Sequence, residues 1–255
     1  FNPNDTNTIT SYMNPLVSYQ YEPGSVMKIF SFASAIEEGL YDGDELYESG
    51  SIQVDSETVI NDVDKTWGTI SFDTGFAYSS NVAATTLAFR LLEYGEKKLP
   101  DYYDALGFGK KTGIELANEV SGDMEVVYKS ELANSSFGQG ISVTPIQMLQ
   151  ALSSMTNDGN IIKPYIVDKI VNSEGNITYE GKRTVVNNVY SSQTVEKMHE
   201  LMHKMIYEGL STAWQIEGLS LMGKTGTAQI ASPNGGYLTG EYDTIRSFAG
   251  IFPEE

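Results

Sequence analysis

Ser25 and Lys28 are the side chains of this chain whose types and spacing best suit chemistry. They lie in Glu22-Pro23-Gly24-Ser25-Val26-Met27-Lys28, where an extended segment gives way to an apolar run, 29–36. That run predicts a buried helix that ends near Gly39, with Ser25 at or near its first turn. Because residues three apart on a helix share a face, the Lys28 amine can reach the Ser25 hydroxyl. The spacing therefore predicts a serine nucleophile beside a lysine base.

The lysine base needs a lowered pKa. A free lysine has a pKa near ~10.4, so only about one in a few thousand is neutral at pH 7. Burial or a second cation must lower that value. Lys224, in Gly223-Lys224-Thr225-Gly226-Thr227, is the candidate cation, and Ser79-Ser80-Asn81 lies between the two lysine motifs. In order, these are the S-x-x-K, S-x-N and K-T-G elements of the serine acyl-transferases that penicillin blocks.

With these motifs in place, the chain resembles the transpeptidase domain of a class B, monofunctional penicillin-binding protein. The likeness runs from Phe1 to Glu255, and the stretches that carry it are Phe1-Asn2-Pro3-Asn4, 21–28, 79–81, 138–147 and 224–229. The stretch 138–147 reads Gly-Gln-Gly-Ile-Ser-Val-Thr-Pro-Ile-Gln, which is typical of that family.

The resemblance implies an α/β fold of the penicillin-binding transpeptidase and serine β-lactamase type. A β-sheet is backed by helices, and a mainly helical subdomain of roughly 41–160 is inserted between the nucleophile helix and the K-T-G strand. Residues 1–255 form a partial domain on this interpretation, truncated at both ends. We therefore expect the sheet to be cut on both sides of the Lys224 strand, and the fragment alone to be marginally stable.

The resemblance also implies a role for each motif residue. Ser25 attacks the penultimate D-Ala carbonyl of a D-Ala-D-Ala stem peptide, and Lys28 takes its proton. Ser79 relays a proton to the leaving nitrogen, and Asn81 contacts both Lys28 and the substrate amide. Lys224 lowers the pKa of Lys28 and helps to bind the terminal carboxylate.

Substrate binding is assigned by the same resemblance to the strand that follows Lys224. Thr225, Gly226 and Thr227 would bind the substrate, and the backbone N–H groups of Ser25 and Thr227 would form an oxyanion hole. The implied partners are peptidoglycan stem peptides, β-lactam antibiotics and proteins of cell division or elongation. The resemblance implies no cofactor and no metal.

Composition sets further limits on function. The net charge of −18 at pH 7 disfavours nucleic acid and anionic lipid as partners. Cysteine is absent, which rules out disulfides and thiolate chemistry in these residues. No apolar run approaches the ~18–20 residues of a membrane span. Because the sequence does not begin with Met, we interpret it as a fragment. By resemblance, its parent lies on the extracytoplasmic face of the bacterial membrane, anchored by an N-terminal segment absent here.

One motif argues for a different class of enzyme. His199-Glu200-Leu201-Met202-His203 matches the H-E-x-x-H helix of zinc proteases, and it holds both histidines of the chain. A third ligand at a convincing spacing is missing, since Glu217 and Glu241 lie in no companion motif. The helix also needs its apolar arc for packing, which places the histidines at its edge and flank. We interpret the match as a coincidence.

Two further alternatives stay open at this stage. The same serine and lysines could hydrolyse their substrate, as in a D,D-carboxypeptidase or a β-lactamase. Glu131-Leu132-Ala133-Asn134 only superficially resembles the E-x-x-L-N loop of class A β-lactamases, with its spacing one residue short. The other alternative is a non-enzymatic β-lactam-binding sensor module, which would keep Ser25 and Lys28.

Local patterns predict the elements that position these motifs. A strand is expected over 51–54, helix starts at Ser71 and at the Thr144-Pro145 pair, and a hairpin around 173–176. Further helices are expected over 82–92 and 102–106, and a third, capped by Ser192, is expected to run to about 206. Two strands, 219–231 and 244–252, would be joined through Pro233-Asn234-Gly235-Gly236.

Overall fold

The helix that carries Lys28 lies at the centre of the molecule. The computed structural model describes residues 11–63, 66–210, 213–232, 235–240 and 242–252. A short helix, α1 (Pro15–Ser18), is followed by a 3₁₀ turn, Gly24–Met27, which continues into α2 (Lys28–Glu37). Residues 28–35 of α2 are all buried, so this helix is enclosed by the rest of the fold. The Phe1-Asn2-Pro3-Asn4 motif lies outside the described residues.

The region that follows α2 combines two strand pairs with five helices. Strand β1 (Leu46–Glu48) pairs antiparallel with β4 (Thr69–Ser71), and β2 (Ser51–Gln53) with β3 (Val59–Asn61). The helices are α3 (Phe72–Ala77), α4 (Asn81–Tyr94), α5 (Lys98–Ala105), α6 (Lys129–Ser135) and α7 (Pro145–Leu152), the last continued by a 3₁₀ turn, Ser153–Thr156. Ser71 caps α3 and Thr144 caps α7, with Pro145 in the first turn, as predicted.

Two strand pairs and one long helix lead on to the K-T-G strand. Strand β5 (Asn160–Ile162) pairs with β8 (Val185–Asn188), and β6 (Lys169–Val171) pairs with β7 (Ile177–Glu180), which confirms the predicted hairpin. Helix α8 (Ser192–Glu208) is capped by Ser191, so the prediction that Ser192 caps it is wrong by one residue. No helix in the described part of the chain is long and apolar enough to cross a membrane.

The strand that carries Lys224 is flanked by one strand and by the nucleophile turn. Strand β9 (Met222–Gln229) pairs antiparallel with β10 (Thr244–Ile251), in a register that sets Lys224 opposite Ala249. On its other edge the carbonyl oxygen of Thr227 faces Gly24. Within the described residues β9 pairs with β10 alone, and its other edge packs against the nucleophile turn, so the marginal stability expected of a truncated sheet stays a prediction. Pro233 and Asn234 of the predicted connection lie outside the described residues.

One hydrophobic core joins the helical region to the β9–β10 pair. It includes Phe30 of α2, Leu87 of α4, Leu201 of α8 and Met222 of β9. Burial of such side chains contributes roughly 1.5–3 kcal/mol each. The predicted subdomain of 41–160 thus shares its core with the nucleophile helix, and it also contains the short strands β1 to β4.

Candidate active site

The 3₁₀ turn brings Ser25 and Lys28 together. Gly24 opens this turn with φ +58°, and Ser25, Val26 and Met27 complete it before α2 begins at Lys28. Residues three apart eclipse each other on a 3₁₀ helix, more directly than on an α-helix. As a result, Lys28 Nζ lies 3.0 Å from Ser25 Oγ. The helix predicted from the sequence is present, but the serine lies on a tighter turn that precedes the α-helix.

The hydrogen-bond partners of the Lys28 amine direct its lone pair toward Ser25. Lys28 Nζ donates to the Ser79 carbonyl oxygen at 2.5 Å and to Asn81 Oδ1 at 2.8 Å. A neutral amine has two N–H donors and one lone pair, and those two acceptors use both donors. The lone pair can then accept the Ser25 hydroxyl proton. The neutral form of this lysine is thereby oriented as a base toward the serine.

Ser79 lies between the two lysines. Its hydroxyl accepts from Lys224 Nζ at 2.8 Å, and its oxygen lies 3.3 Å from Lys28 Nζ. Its backbone has φ +61°, a left-handed conformation that costs a non-glycine residue roughly 1–2 kcal/mol. This conformation is stabilised by hydrogen bonds from both lysines and by the start of α4 two residues later. The Ser79 hydroxyl is therefore placed to pass a proton between a lysine amine and a bound substrate.

Burial sets the proton affinity of both amines. Lys28 is fully buried, and its pKa is lowered well below 10.5, first by burial and then by the neighbouring Lys224 charge, while Asp62 opposes this shift. Burial lowers the pKa of Lys224 to about 7. The Phe137 ring lies 6.0 Å from Lys28 Nζ, and the Phe76 ring 5.8 Å from Lys224 Nζ. Lys224 thus acts on Lys28 as the sequence suggested, although burial is the larger cause.

Strand β9 places the other predicted site residues along its edge. Thr225 is half-buried and Thr227 is exposed, so both lie where a bound peptide could contact them. Gly226 is buried, and a Cβ there would come within 2.9 Å of the Pro23 carbonyl oxygen. The structure places Gly226 in a packing contact beneath the nucleophile turn, where no side chain fits.

A stack of three main-chain segments fixes the nucleophile turn against β9. A Cβ on Gly24 would lie 2.7 Å from the Thr227 carbonyl oxygen, and one on Gly138 would lie 2.2 Å from the Gly24 carbonyl oxygen. The Gly24 N–H also donates to the Gly138 carbonyl oxygen at 3.0 Å. This stack sets the Ser25 turn beside Thr227, as an oxyanion hole between their N–H groups requires. It gives Gly138 a structural role in the packing of the nucleophile turn.

Sequence reasoning missed Asp62, which is 7% exposed and bonds the start of α4. Asp62 is one of many acidic residues in its region, and only the fold distinguishes it from solvated neighbours such as Asp42 and Asp44. Ser80, the middle residue of the S-x-N motif, is fully buried, and its hydroxyl accepts from the Ala83 N–H.

The H-E-x-x-H stretch packs as an ordinary part of α8. His199 Nε2 lies 2.6 Å from the Met155 carbonyl oxygen, a partner that accepts only from a protonated ring nitrogen. The His203 ring stacks on Tyr207, with 4.2 Å between ring centroids. Among the described residues, which do not include Glu241, no group of three or more His, Cys, Asp or Glu side chains is placed to hold a metal ion. The side chains of the predicted apolar arc are buried: Met198, Leu201, Met202, Met205 and Ile206.

Glu131, the residue of the superficial β-lactamase match, is engaged at a helix start. Its carboxylate accepts from the N–H groups of Val127 at 2.7 Å and Tyr128 at 2.9 Å. These bonds lower its pKa, which makes the carboxylate a weaker base for activating water.

A half-buried serine beside a buried lysine, with a second buried lysine behind it, is the constellation expected of an acyl-transfer site. The chain belongs to the penicillin-binding protein transpeptidase domain family, whose model matches residues 1–255. The α/β fold predicted from the sequence is that of this family.

Named relatives and solved structures agree with the family. Stage V sporulation protein D of Bacillus subtilis is 33% identical over 246 residues, 92% of this chain and 36% of its own length. A protein of Mesostigma viride, named a peptidoglycan D,D-transpeptidase FtsI homolog, is 30% identical over 91% of this chain and 43% of its own length. The chain thus spans less than half the length of either relative.

The fold is also that of a solved penicillin-binding protein. The crystal structure of penicillin-binding protein 3 from Mycobacterium tuberculosis matches with a TM-score of 0.84 and 31% identity, over 93% of this chain and 55% of that one. Two further structures of that protein are complexes with aztreonam and with ampicillin.

Proposed function

We propose that this chain is the acylating part of a peptidoglycan D,D-transpeptidase of serine type. The observation that carries the proposal is the linked set of Ser25, Lys28, Ser79 and Lys224, in which one lysine amine faces the serine hydroxyl at 3.0 Å. Family membership supports the same reaction, as does the name of the Mesostigma relative.

The acylation step uses groups that already lie together. Ser25 Oγ attacks the carbonyl carbon of the penultimate D-Ala, and its proton passes to the neutral Lys28 amine. The tetrahedral intermediate collapses by breaking the C–N bond to the terminal D-Ala. The leaving nitrogen takes a proton through Ser79, which lies within reach of both lysine amines. An acceptor amine from a second stem peptide then attacks the ester carbonyl and loses a proton to Lys28. The C–Oγ bond breaks, and Ser25 Oγ takes a proton back from Lys28.

Binding and charge stabilisation fall to β9 and the S-x-N loop. The N–H groups of Ser25 and Thr227 would stabilise the developing oxyanion, and removing such a donor typically costs about 10²–10³ in rate. Lys224, with the Thr225 and Thr227 hydroxyls, would hold the terminal carboxylate. Asn81 would contact the substrate amide while it accepts from Lys28.

The proposal extends to partners and location. β-Lactams would acylate Ser25 because their ring carbonyl takes the place of the scissile amide. Peptidoglycan stem peptides are the substrates, and proteins of cell division or elongation are the expected partners. The reaction would take place on the extracytoplasmic face of the bacterial membrane, with an N-terminal anchor outside these residues.

Intact-protein mass spectrometry with benzylpenicillin tests the proposal. We expect a long-lived adduct in the parent and none in Ser25→Ala. Ser31→Ala is the matched control, since Ser31 lies on the same buried helix and donates instead to the Ser136 carbonyl oxygen at 2.7 Å. An adduct in Ser25→Ala equal to that of the parent would contradict the assignment.

Product analysis separates the alternatives. Incubation with a D-Ala-D-Ala peptide and an amine acceptor should give the cross-linked product with release of D-Ala. Hydrolysed peptide alone would indicate a carboxypeptidase, and hydrolysed drug that accumulates would indicate a β-lactamase. A stable drug adduct without any peptide product would indicate a sensor module.

A further inference from the structure

Asp62 is a buried carboxylate that the acylation chemistry does not use directly. It follows β3 immediately and is 7% exposed. A buried carboxylate is costly unless it is hydrogen-bonded or paired with a charge. The hydrogen bonds that satisfy the Asp62 carboxylate therefore indicate its role.

The carboxylate binds the segment that carries the S-x-N motif. Asp62 Oδ1 accepts from Ser80 Oγ at 2.9 Å and from the backbone N–H groups of Asn81 at 2.6 Å and Val82 at 3.1 Å. Its other oxygen accepts from the Gly50 N–H at 2.9 Å, which ties it to the loop between β1 and β2. One side chain thus fixes three consecutive residues at the start of α4.

The residue before Asp62 orients the Asn81 side chain. Asn81 Nδ2 donates to the Asn61 carbonyl oxygen at 2.9 Å. This contact leaves Asn81 Oδ1 directed at Lys28 Nζ, 2.8 Å away. The end of β3 therefore holds both the backbone and the amide of Asn81 in the position that Lys28 requires.

Ser79 depends on the same support. Its left-handed backbone, φ +61°, is unfavourable for a serine and persists only where its neighbours hold it. Asp62 fixes the three residues that follow it, and the lysine amines bind its carbonyl and hydroxyl. Without the carboxylate, the segment is free to relax and carry Ser79 away from the lysines.

We propose that Asp62 is a positioning residue for acylation, which holds Ser79 and Asn81 against Lys28 and offsets the positive charge of Lys28. This rests on the proposed function, since Lys28 is the base there. The titratable groups on which its charge acts are Lys28 and Tyr47 of β1, and Lys224 also acts on Lys28. Asp62 raises the pKa of Lys28 against the effects of burial and Lys224, and it contributes to the raised pKa of Tyr47.

The variant Asp62→Asn tests this with little change in shape. We expect the second-order rate constant for acylation by benzylpenicillin to fall about tenfold at its high-pH plateau, as Ser79 relaxes from its left-handed conformation. At the same time the acid limb of the pH–rate profile should move to lower pH, because loss of the negative charge lowers the Lys28 pKa. Asp62→Ala should show a larger fall in rate.

Glu119→Gln is the matched control. Glu119 is 8% exposed and accepts three bonds, from the Thr112 N–H at 2.7 Å, the Thr112 hydroxyl at 2.6 Å and the Gly113 N–H at 3.0 Å. These contacts involve none of the proposed site residues. We expect Glu119→Gln to lower the melting temperature, with neither the plateau rate nor the acid limb changed in the folded protein.

The outcomes distinguish positioning from a purely structural role. A folded Asp62→Asn with the parent plateau and acid limb would overturn the proposal, as would a lowered rate with an unmoved acid limb. The Lys28 pKa, followed by NMR of the lysine ε-carbons, reports the same coupling without activity. A parent that is never acylated, yet whose Lys28 pKa falls in Asp62→Asn, would refute the proposed function and support the role of Asp62. An unchanged Lys28 pKa would refute that role.

Discussion

Replacing Lys224 by methionine should stabilise the protein while it removes the activity. Lys224 is fully buried and has a pKa of about 7, against 10.5 in solvent. At pH 7 the unfolded lysine is charged, and the folded one is only about half charged. The difference corresponds to about 4 kcal/mol of folding free energy lost to burial of this amine.

The stability gained by Lys224→Met is smaller than this burial cost. Methionine has nearly the same length, but it gives up the bonds from Nζ to Ser79 Oγ at 2.8 Å and to the Thr225 carbonyl oxygen at 3.3 Å. At about 1 kcal/mol each, these reduce the net gain to about 2 kcal/mol. For a chain of this size, that raises the melting temperature by about 4–8 °C. Acylation should fall by about 10²–10³.

The stability gained by Lys224→Met should depend on pH in a characteristic way. Between pH 7 and 10.5 the unfolded Lys224 binds more protons than the folded one, so the stability of the parent rises with pH. The variant lacks this contribution. Its free energy of unfolding should therefore equal that of the parent at about pH 9. Below pH 7 both states of the parent are charged at Lys224, so the full difference remains.

Denaturant titrations of both proteins at several pH values measure this difference. Lys197→Met is the control with the opposite sign, since Asp73 and Glu200 raise the pKa of Lys197 despite its partial burial. That variant should be less stable than the parent. A Lys224→Met protein that is less stable than the parent at pH 7, or a difference that grows with pH, would refute the reasoning.

Three further predictions follow from contacts around the site. Gly24→Ala should lose at least about 1–2 kcal/mol of stability and most of its acylation rate, measured by melting and penicillin labelling, because φ is +58° and Thr227 blocks the Cβ; parent-like labelling would argue against the stacked backbone. Glu37→Gln should lose about 1–2 kcal/mol in denaturant titration with its acylation rate retained, because Glu37 binds the Ser191 N–H at 2.9 Å at the start of α8; a lost rate would contradict this. In the parent, acylation should fall as pH drops through the lowered pKa of Lys28 and reach its plateau well below pH 10.5; a rate still rising above that pH would contradict the base assignment.

Local chemistry made part of the site predictable. The separation of Ser25 and Lys28 determines their contact on any helical turn, so no tertiary information was needed. The Thr144-Pro145 pair likewise marks a helix start by its own backbone preferences. Helix α6 was missed because it begins at Lys129 after Tyr128, without a Ser, Thr, Asp or Asn cap, and Glu131 instead accepts from the N–H groups of Val127 and Tyr128 that precede it.

Longer-range contacts were beyond sequence reasoning. The meeting of Asp62 with Asn81 depends on how β3 approaches α4, which neither segment specifies alone. The same holds for the outer edge of β9, whose approach to Gly24 neither segment specifies alone. Composition could show that this region is acidic, but it could not show which carboxylate is buried.

The stack of Gly138, Gly24 and Thr227 bears on how such a protein can change over generations. Its contacts are made by main-chain atoms, which a codon change leaves in place provided that both glycines persist. On the proposed function, inherited variation in the acyl donors that are accepted would arise in exposed side chains of β9, such as those of Thr227 and Gln229. The backbone geometry around Ser25 can thus be inherited nearly unchanged while the side chains that would select the substrate vary.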